Sequence, residues 1–266
     1  MKKNSKLSTI YLMVVFFILY APIFYLMFYS FNSAGNMTGF DGFTLDWYKE
    51  VLQDTRLWII VLNTLVIALL SAAIATIIGV LGALSILYMK NKKTKNTILS
   101  LNNVLIVSPD VIIGASFLIL FTMIGIKLGF VSVLLSHIAF SIPIVVIMVL
   151  PKLQEMSTSL IDAATDLGAS KFDVLSKVII PYITPGIFAG FFMALTYSLD
   201  DFAVTFFVTG NGFSTLSVEI YSLARRGISL QINALSTLIF LFTVVLVIGY
   251  YFITQRNIRP KVGAKK

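Results

Sequence analysis

The run LWIIVLNTLVIALLSAAIATIIGVLGALSILY, residues 57–88, contains no Asp, Glu, Lys, Arg or His. A helix needs about 20 apolar residues to cross a hydrocarbon core, and this run exceeds that length. Five further stretches meet the same requirement: 8–30, 97–122, 129–150, 184–208 and 232–254. Backbone groups in lipid must be satisfied within the segment, and continuous apolar runs lack the alternation of barrel strands. The fold predicted is therefore all-α, an integral membrane bundle of six transmembrane helices.

Composition agrees with a lipid solvent. The chain is 58% hydrophobic and 12% charged, where a soluble domain carries roughly one-quarter charged residues; its mean hydropathy is +0.94. There is no cysteine and one histidine, His137, which excludes a disulfide framework, a thiol nucleophile and a His-rich metal cluster. The basic start followed by the apolar run 8–30 resembles a secretory signal, yet the run is too long and lacks a small-residue cleavage pattern, so a retained helix is expected.

The net charge of +8 reads as topology rather than nucleic-acid binding, because Lys and Arg sit between the apolar runs and at the ends. Lys2, Lys3, Lys6, Lys90, Lys92, Lys93, Lys95, Lys152, Lys171, Lys177, Arg256, Arg259, Lys261, Lys265 and Lys266 fall on one side; Lys49, Arg56, Lys127, Arg225 and Arg226 fall on the other. The excess marks the cytoplasm, so both termini are predicted there, as an even number of spans requires. Ser71, Ala75, Gly79 and Ala83 in the second span, and Gly186, Gly190 and Ala194 in the fifth, form small-residue stripes that permit close helix packing.

Between the fourth and fifth spans lies a polar segment, 151–183, much longer than a helix connection needs. Leu160, Ala163, Ala164 and Leu167, then Phe172, Leu175, Val178 and Ile179, recur at helical spacing. Two short amphipathic helices with a turn near Gly168 are expected, suited to an interface or to a partner's groove.

Asp162-Ala163-Ala164, three residues, Gly168, nine residues and Val178-Ile179-Ile180-Pro181 resemble the EAA loop of ABC-importer permeases, whose pattern is EAA, x3, G, x9, I-x-L-P. Asp replaces Glu at 162, Val replaces Ile at 178 and Ile replaces Leu at 180; the spacing is kept. The resemblance implies a single permease domain over 1–266, with Asp162, Ala163, Ala164, Gly168 and Pro181 in the coupling loop that seats in an ATPase subunit. Within the family, Leu105-Ile106-Val107-Ser108-Pro109-Asp110, Ser198-Leu199-Asp200-Asp201-Phe202, Phe207-Val208-Thr209-Gly210 and Ile232-Asn233-Ala234-Leu235-Ser236-Thr237 resemble the spermidine/putrescine permeases.

Acids within spans are costly and mark pathways. Asp110 is expected near the middle of the third span, directly after Pro109, at a kink. Asp200 and Asp201 lie in the outer half of the fifth span, and adjacent helical positions diverge by about 100°, so one of them faces the pore. Asp201 is favoured, since Tyr197 and Thr205 lie one turn away on its side; a carboxylate beside a ring suits an alkylammonium ion. The alternative is that these acids bond to neighbouring helices or to an Arg of a partner subunit. His137 reads as a hydrogen-bonding packing group rather than a ligand. Arg225 and Arg226 read as either a contact for a binding protein or a solvated pair, and Trp47 and Trp58 as anchors at the outer interface.

No Gly-x4-Gly-Lys-Ser/Thr phosphate loop is present, so the chain is not itself the ATPase, binds no cofactor of its own, and depends on a partner for ATP and Mg. The resemblance implies an ABC ATPase dimer, a second homologous permease and an extracytoplasmic substrate-binding protein as partners in a bacterial cell membrane. Related permeases carry other cargo, such as ferric iron or thiamine. A membrane enzyme would need a catalytic cluster that the residues do not offer, and a secondary transporter would be expected to show internal repeats that are not visible.

Overall fold

The computed structural model describes the backbone of residues 5–227 and 230–258. Of the residues counted for topology, Lys2, Lys3, Arg259, Lys261, Lys265 and Lys266 lie outside it, as do the side chains of Lys6 and Arg256. The helices in chain order are α1 (Ser5–Tyr29), α2 (Asp46–Gln53), α3 (Thr55–Tyr88), α4 (Lys92–Val107), α5 (Asp110–Ile124) and α6 (Phe130–Glu155), then α7 (Thr158–Asp166), α8 (Lys171–Val174), α9 (Ile180–Asp200), α10 (Ala203–Val208), α11 (Leu216–Arg226) and α12 (Leu230–Ile258). Among the described residues the one extended pairing is an antiparallel bridge between Asn32 and Phe43.

Four helical runs are long and apolar enough to cross a membrane: Leu7–Tyr29, Thr55–Tyr88, Phe130–Glu155 and Lys171–Asp200. A fifth candidate is the pair α4 and α5, which qualifies only when taken together and is bent by 106°. The chain forms two units, residues 1–57 with 220–266, and residues 58–219. In the first unit, α1 and α2 each pack on α12, with Tyr20 meeting Phe240 edge-on. Residues 30–45 close around Asn32, which is fully buried: its amide donates to the carbonyls of Asn36 and Gly39 and its Oδ1 accepts from the Ala34 and Asp41 N–H groups. Trp47, expected as an interface anchor, donates from Nε1 to the Asn32 carbonyl at 2.8 Å, so it also ties this loop to α2.

In the second unit α6 is the shared partner of α3 and α9, and the small-residue stripes explain why. A Cβ at Gly79 would lie 2.6 Å from Cβ of Val145, and one at Gly190 would lie 3.3 Å from Cα of the same valine. Val145 is thus wedged between two glycines, with Ala72, Ala83 and Ala194 buried around it. In lipid such contact is driven by van der Waals packing rather than by water exclusion. Replacing Gly79 by Ala should destabilise the assembled protein by about 1–3 kcal/mol, the usual cost of overpacking. Thermal unfolding in detergent should show the loss, and Val145→Ala in the same chain should recover part of it.

Three expectations are corrected. The predicted third span, 97–122, is two helices rather than one kinked helix. Proline forces its predecessor out of the helical region, and both Ser108 (ψ 139°) and Pro109 (ψ 131°) are extended, which bends the chain by 106°. The segment after Gly168 is not a separate helix. α8 runs through a π-turn, Leu175–Ile179, into α9, with the Ile180 N–H reaching back to the Leu175 carbonyl. Pro181 follows directly, and a widened turn accommodates a ring that would clash with the preceding turn. The predicted fifth span, 184–208, stops at Asp200; after two residues the chain resumes as α10.

The turn at Gly168 has φ +84°, a left-handed conformation natural for a residue ending α7. The Gly168 N–H bonds to the Thr165 carbonyl and the Ala169 N–H to that of Ala164. Ser170 then caps α8 reciprocally with Asp173. Leu167 is left 90% exposed and Phe172 75% exposed, an apolar pair on a short polar segment.

Candidate functional site

Two helix breaks, at Pro109 and after Asp200, build the site. Pro109 ends α4 and starts α5 at Asp110, and α9 ends at Asp200, so two carboxyl groups stand at helix ends rather than in mid-helix. Around them is a cavity of about 340 Å³, lined by Asp110, Met193, Thr196, Tyr197, Asp200 and Phe202 among others. The Tyr197 hydroxyl donates to Asp110 Oδ1 at 2.7 Å, joining the third and fifth predicted spans.

The electrostatics of the two ends differ. Asp110 sits in the first turn of α5, where the positive end of the helix dipole stabilises a carboxylate. Asp200 is exposed and sits in the last turn of α9, where the dipole is itself negative and adds to its charge. The Tyr197 ring, 38% exposed, supplies an aromatic surface beside both. A cavity with two acids, a negative helix end and a ring attracts cations with apolar stems.

Asp201 also borders the cavity, and Thr205 lies against it as expected, but by a different geometry. Thr205 is not one turn along a continuous helix, because Asp201 is extended at ψ 120°. Its side chain is 5% exposed and folds onto the start of α10. Oδ1 accepts the Val204 N–H, and Oδ2 accepts the Thr205 N–H at 2.8 Å and the Thr205 hydroxyl at 2.7 Å. Of the adjacent aspartates, Asp200 presents an exposed side chain and Asp201 a buried one.

His137 is buried completely on α6 beside this junction. Nδ1 is 2.6 Å from Ser198 Oγ, and Nε2 is 2.9 Å from Thr205 Oγ1 and 3.4 Å from Asp201 Oδ2. Ser198 Oγ in turn lies 3.0 Å from Ser71 Oγ on α3. Sequence reading identified His137 as a packing group but not this network, whose members stand 61 and 68 positions apart from it. The available signal was a lone histidine in a span that also carries Ser132, Ser136 and Ser141. Among the described residues no group of acids, His or Cys is arranged to hold a metal ion.

Asp162, Ala163 and Ala164 lie on α7, and Gly168 just beyond its end. Pro181 lies in the first turn of α9. None of the five borders the cavity, so the predicted sites fall into two groups, one at each feature.

Comparisons with known proteins agree with this architecture. Residues 75–263 match the family described as binding-protein-dependent transport system inner membrane component. The chain is 36% identical over 256 residues to the spermidine/putrescine transport system permease protein PotC of Escherichia coli (strain K12), covering 96% of this chain and 97% of that one. It is 34% identical over 242 residues to the putrescine transport system permease protein PotI of the same strain, covering 89% and 86%. A crystal structure of a bacterial ABC transporter involved in the import of the acidic polysaccharide alginate superposes with a TM-score of 0.73 at 17% identity, covering 97% of each chain. With its apolar helices, its full-length likeness to permeases and its family match over most of its length, this chain belongs to the family of binding-protein-dependent transport system inner membrane components.

Proposed function

We propose that this chain is the permease subunit of an ATP-driven importer that moves spermidine and putrescine across the cell membrane by alternating access. The observation that carries the cargo reading is the cavity at Asp110, Tyr197 and Asp200. Polyamines are multivalent ammonium ions joined by methylene stems, and separated acids with a ring between them match that chemistry. The likeness to PotC and PotI supports the same cargo. Asp110, Tyr197 and Asp200 contact the cargo, while Asp201 supports the wall that carries Asp200.

Six crossings follow if the bent pair α4 and α5 counts as one and α12 as another. Both termini and the segment 151–183 then face the cytoplasm, by the excess of Lys and Arg there. An ATPase dimer docks at that segment, where exposed Leu167 and Phe172 flank the Gly168 turn. A second homologous permease completes the pathway, and a binding protein delivers cargo from outside. ATP and Mg are handled by the ATPase, whose closure shifts α7 and, through the π-turn, α9.

The test is uptake of labelled spermidine and putrescine by cells with and without the gene, in a strain lacking other polyamine importers. Loss of ATP-dependent uptake on deletion, restored by the wild-type gene, is expected. Unchanged uptake would remove the polyamine assignment and leave the coupling segment to be tested with another cargo.

A further inference from the structure

We propose that His137 is a positioning residue that holds the break between α9 and α10 and thereby sets the wall of the cavity. A helix interrupted in a membrane exposes backbone groups with no water to satisfy them, at several kcal/mol each. The break at Asp201 therefore needs fixed partners, and it has them. The Asp201 carbonyl accepts the Ser217 hydroxyl at 2.8 Å, and the Asp201 carboxylate accepts two N–H groups of α10.

Proton accounting shows what the imidazole adds. Thr205 has one hydroxyl hydrogen, and it is given to Asp201 Oδ2. Toward His137 Nε2, at 2.9 Å, Thr205 Oγ1 can only accept, so Nε2 carries the proton. The chain of donors runs from His137 through Thr205 to Asp201, and it orients the hydroxyl that holds the carboxylate in place. The other ring nitrogen is held by Ser198 on α9, two residues before Asp200, and through Ser71 by α3. One fully buried ring thus joins α6, α9 and α10. Its ring centroid lies 4.9 Å from that of Phe140, whose ring in turn meets Tyr197 edge-on, with centroids 5.1 Å apart. Both the break and the aromatic wall of the cavity therefore lean on His137.

The consequence for uptake rests on the cargo reading above, but the positioning role can be tested without cargo. The chain has no cysteine, so Ala203→Cys, at the cavity end of α10, introduces a single thiol. Its reaction rate with a charged methanethiosulfonate reagent, measured on the full chain in open membrane fragments, reports the position of the break. A separate Leu167→Cys chain, labelled at a side chain 90% exposed on the distant turn, serves as the control.

His137→Leu should change the rate at position 203 by about tenfold or more, as loss of a buried hydrogen-bonding partner implies, and leave the rate at 167 within about twofold. His137→Gln, whose amide N–H can replace the Nε2 donor, should restore most of it; a merely space-filling role would make Leu the better substitute. If His137→Leu does not accumulate in membranes, Thr205→Val, which removes only the linking hydroxyl, takes its place with Thr205→Ser as the rescue. Rates at 203 unaltered by His137→Leu or by Thr205→Val would overturn the proposal. Uptake by an Asp200→Asn chain judges the cargo reading separately: normal uptake there sinks that reading and leaves the labelling result to decide the role of His137.

Discussion

Gly168→Leu should abolish ATP-driven uptake while leaving membrane insertion intact. Within the chain the substitution is tolerable, because a Cβ at Gly168 would meet nothing within 4 Å. The remaining internal penalty is the left-handed φ of +84°, about 1–2 kcal/mol for an L-residue with a side chain. In the proposed complex the same side chain points from an exposed turn, between Leu167 and the start of α8, into the ATPase. A misfit at the centre of an interface commonly costs at least about 2 kcal/mol, or about thirtyfold in affinity. Gly168→Asn separates the two contributions, since asparagine accepts the left-handed conformation far better than leucine. The expected order of uptake is Gly above Asn above Leu, with equal amounts of protein in the membrane. Co-purification of the ATPase should fall in the same order. Wild-type uptake by the leucine chain would show that this turn does not couple ATP hydrolysis to transport.

The long apolar helices were legible from sequence because lipid imposes a composition requirement over many residues at once. The run 57–88 could not be anything but helix, and α3 occupies Thr55–Tyr88. Helix breaks obey local and remote terms together, and only the local terms are written nearby. Pro109 announces a disturbance, but its amplitude depends on the seat of α5 against α10. There a Cβ at Gly114 would come within 3.0 Å of Val204 Cα, so bare glycine allows the close approach. Between Ser198 and Thr205 no Pro or Gly occurs, and the one local signal is Asp201, a residue type that caps helices. At the turn Asp201 caps α10 locally, and Ser217 and His137, remote in sequence, supply further hydrogen-bonding partners.

The same reasoning explains the site. Asp110, Tyr197 and Asp200, which border the cavity, stand out in the sequence because ionisable and aromatic side chains are conspicuous in an apolar stretch. The burial of the Asp201 side chain was not legible, because a helical wheel assumes a continuous helix. Once α9 stops at Asp200, wheel geometry no longer relates Asp201 to Tyr197, and the buried carboxylate is explained by what it caps. Likewise the stripe Gly186, Gly190 and Ala194 was legible as a packing face, but its partners Lys152, Met148 and Val145 on α6 were not.

Neutralising half-buried Asp110 and exposed Asp200 should separate the roles of the aspartates most sharply. Asp200→Asn and Asp110→Asn each remove one negative charge from the cavity while keeping side-chain volume. At an effective dielectric near 20, a carboxylate about 4 Å from an ammonium group contributes about 4 kcal/mol of attraction before desolvation. A net loss of about a third of that is tenfold, so maximal uptake should fall at least about tenfold in each variant. Because a separate binding protein captures cargo in the proposed importer, the concentration for half-maximal uptake should move little. Asp201→Asn should behave differently. Its carboxylate takes two N–H groups and a hydroxyl at the head of α10, and an amide in its place presents one acceptor oxygen and an unwanted donor. A buried group mispaired in this way costs about 1–3 kcal/mol, so the Asp201 variant should lower the melting temperature in detergent, whereas the Asp200 variant should leave it unchanged. Equal melting temperatures for the two variants would mean that Asp201 does not hold the break, and an Asp200→Asn chain with normal maximal uptake would mean that cargo does not pass this cavity.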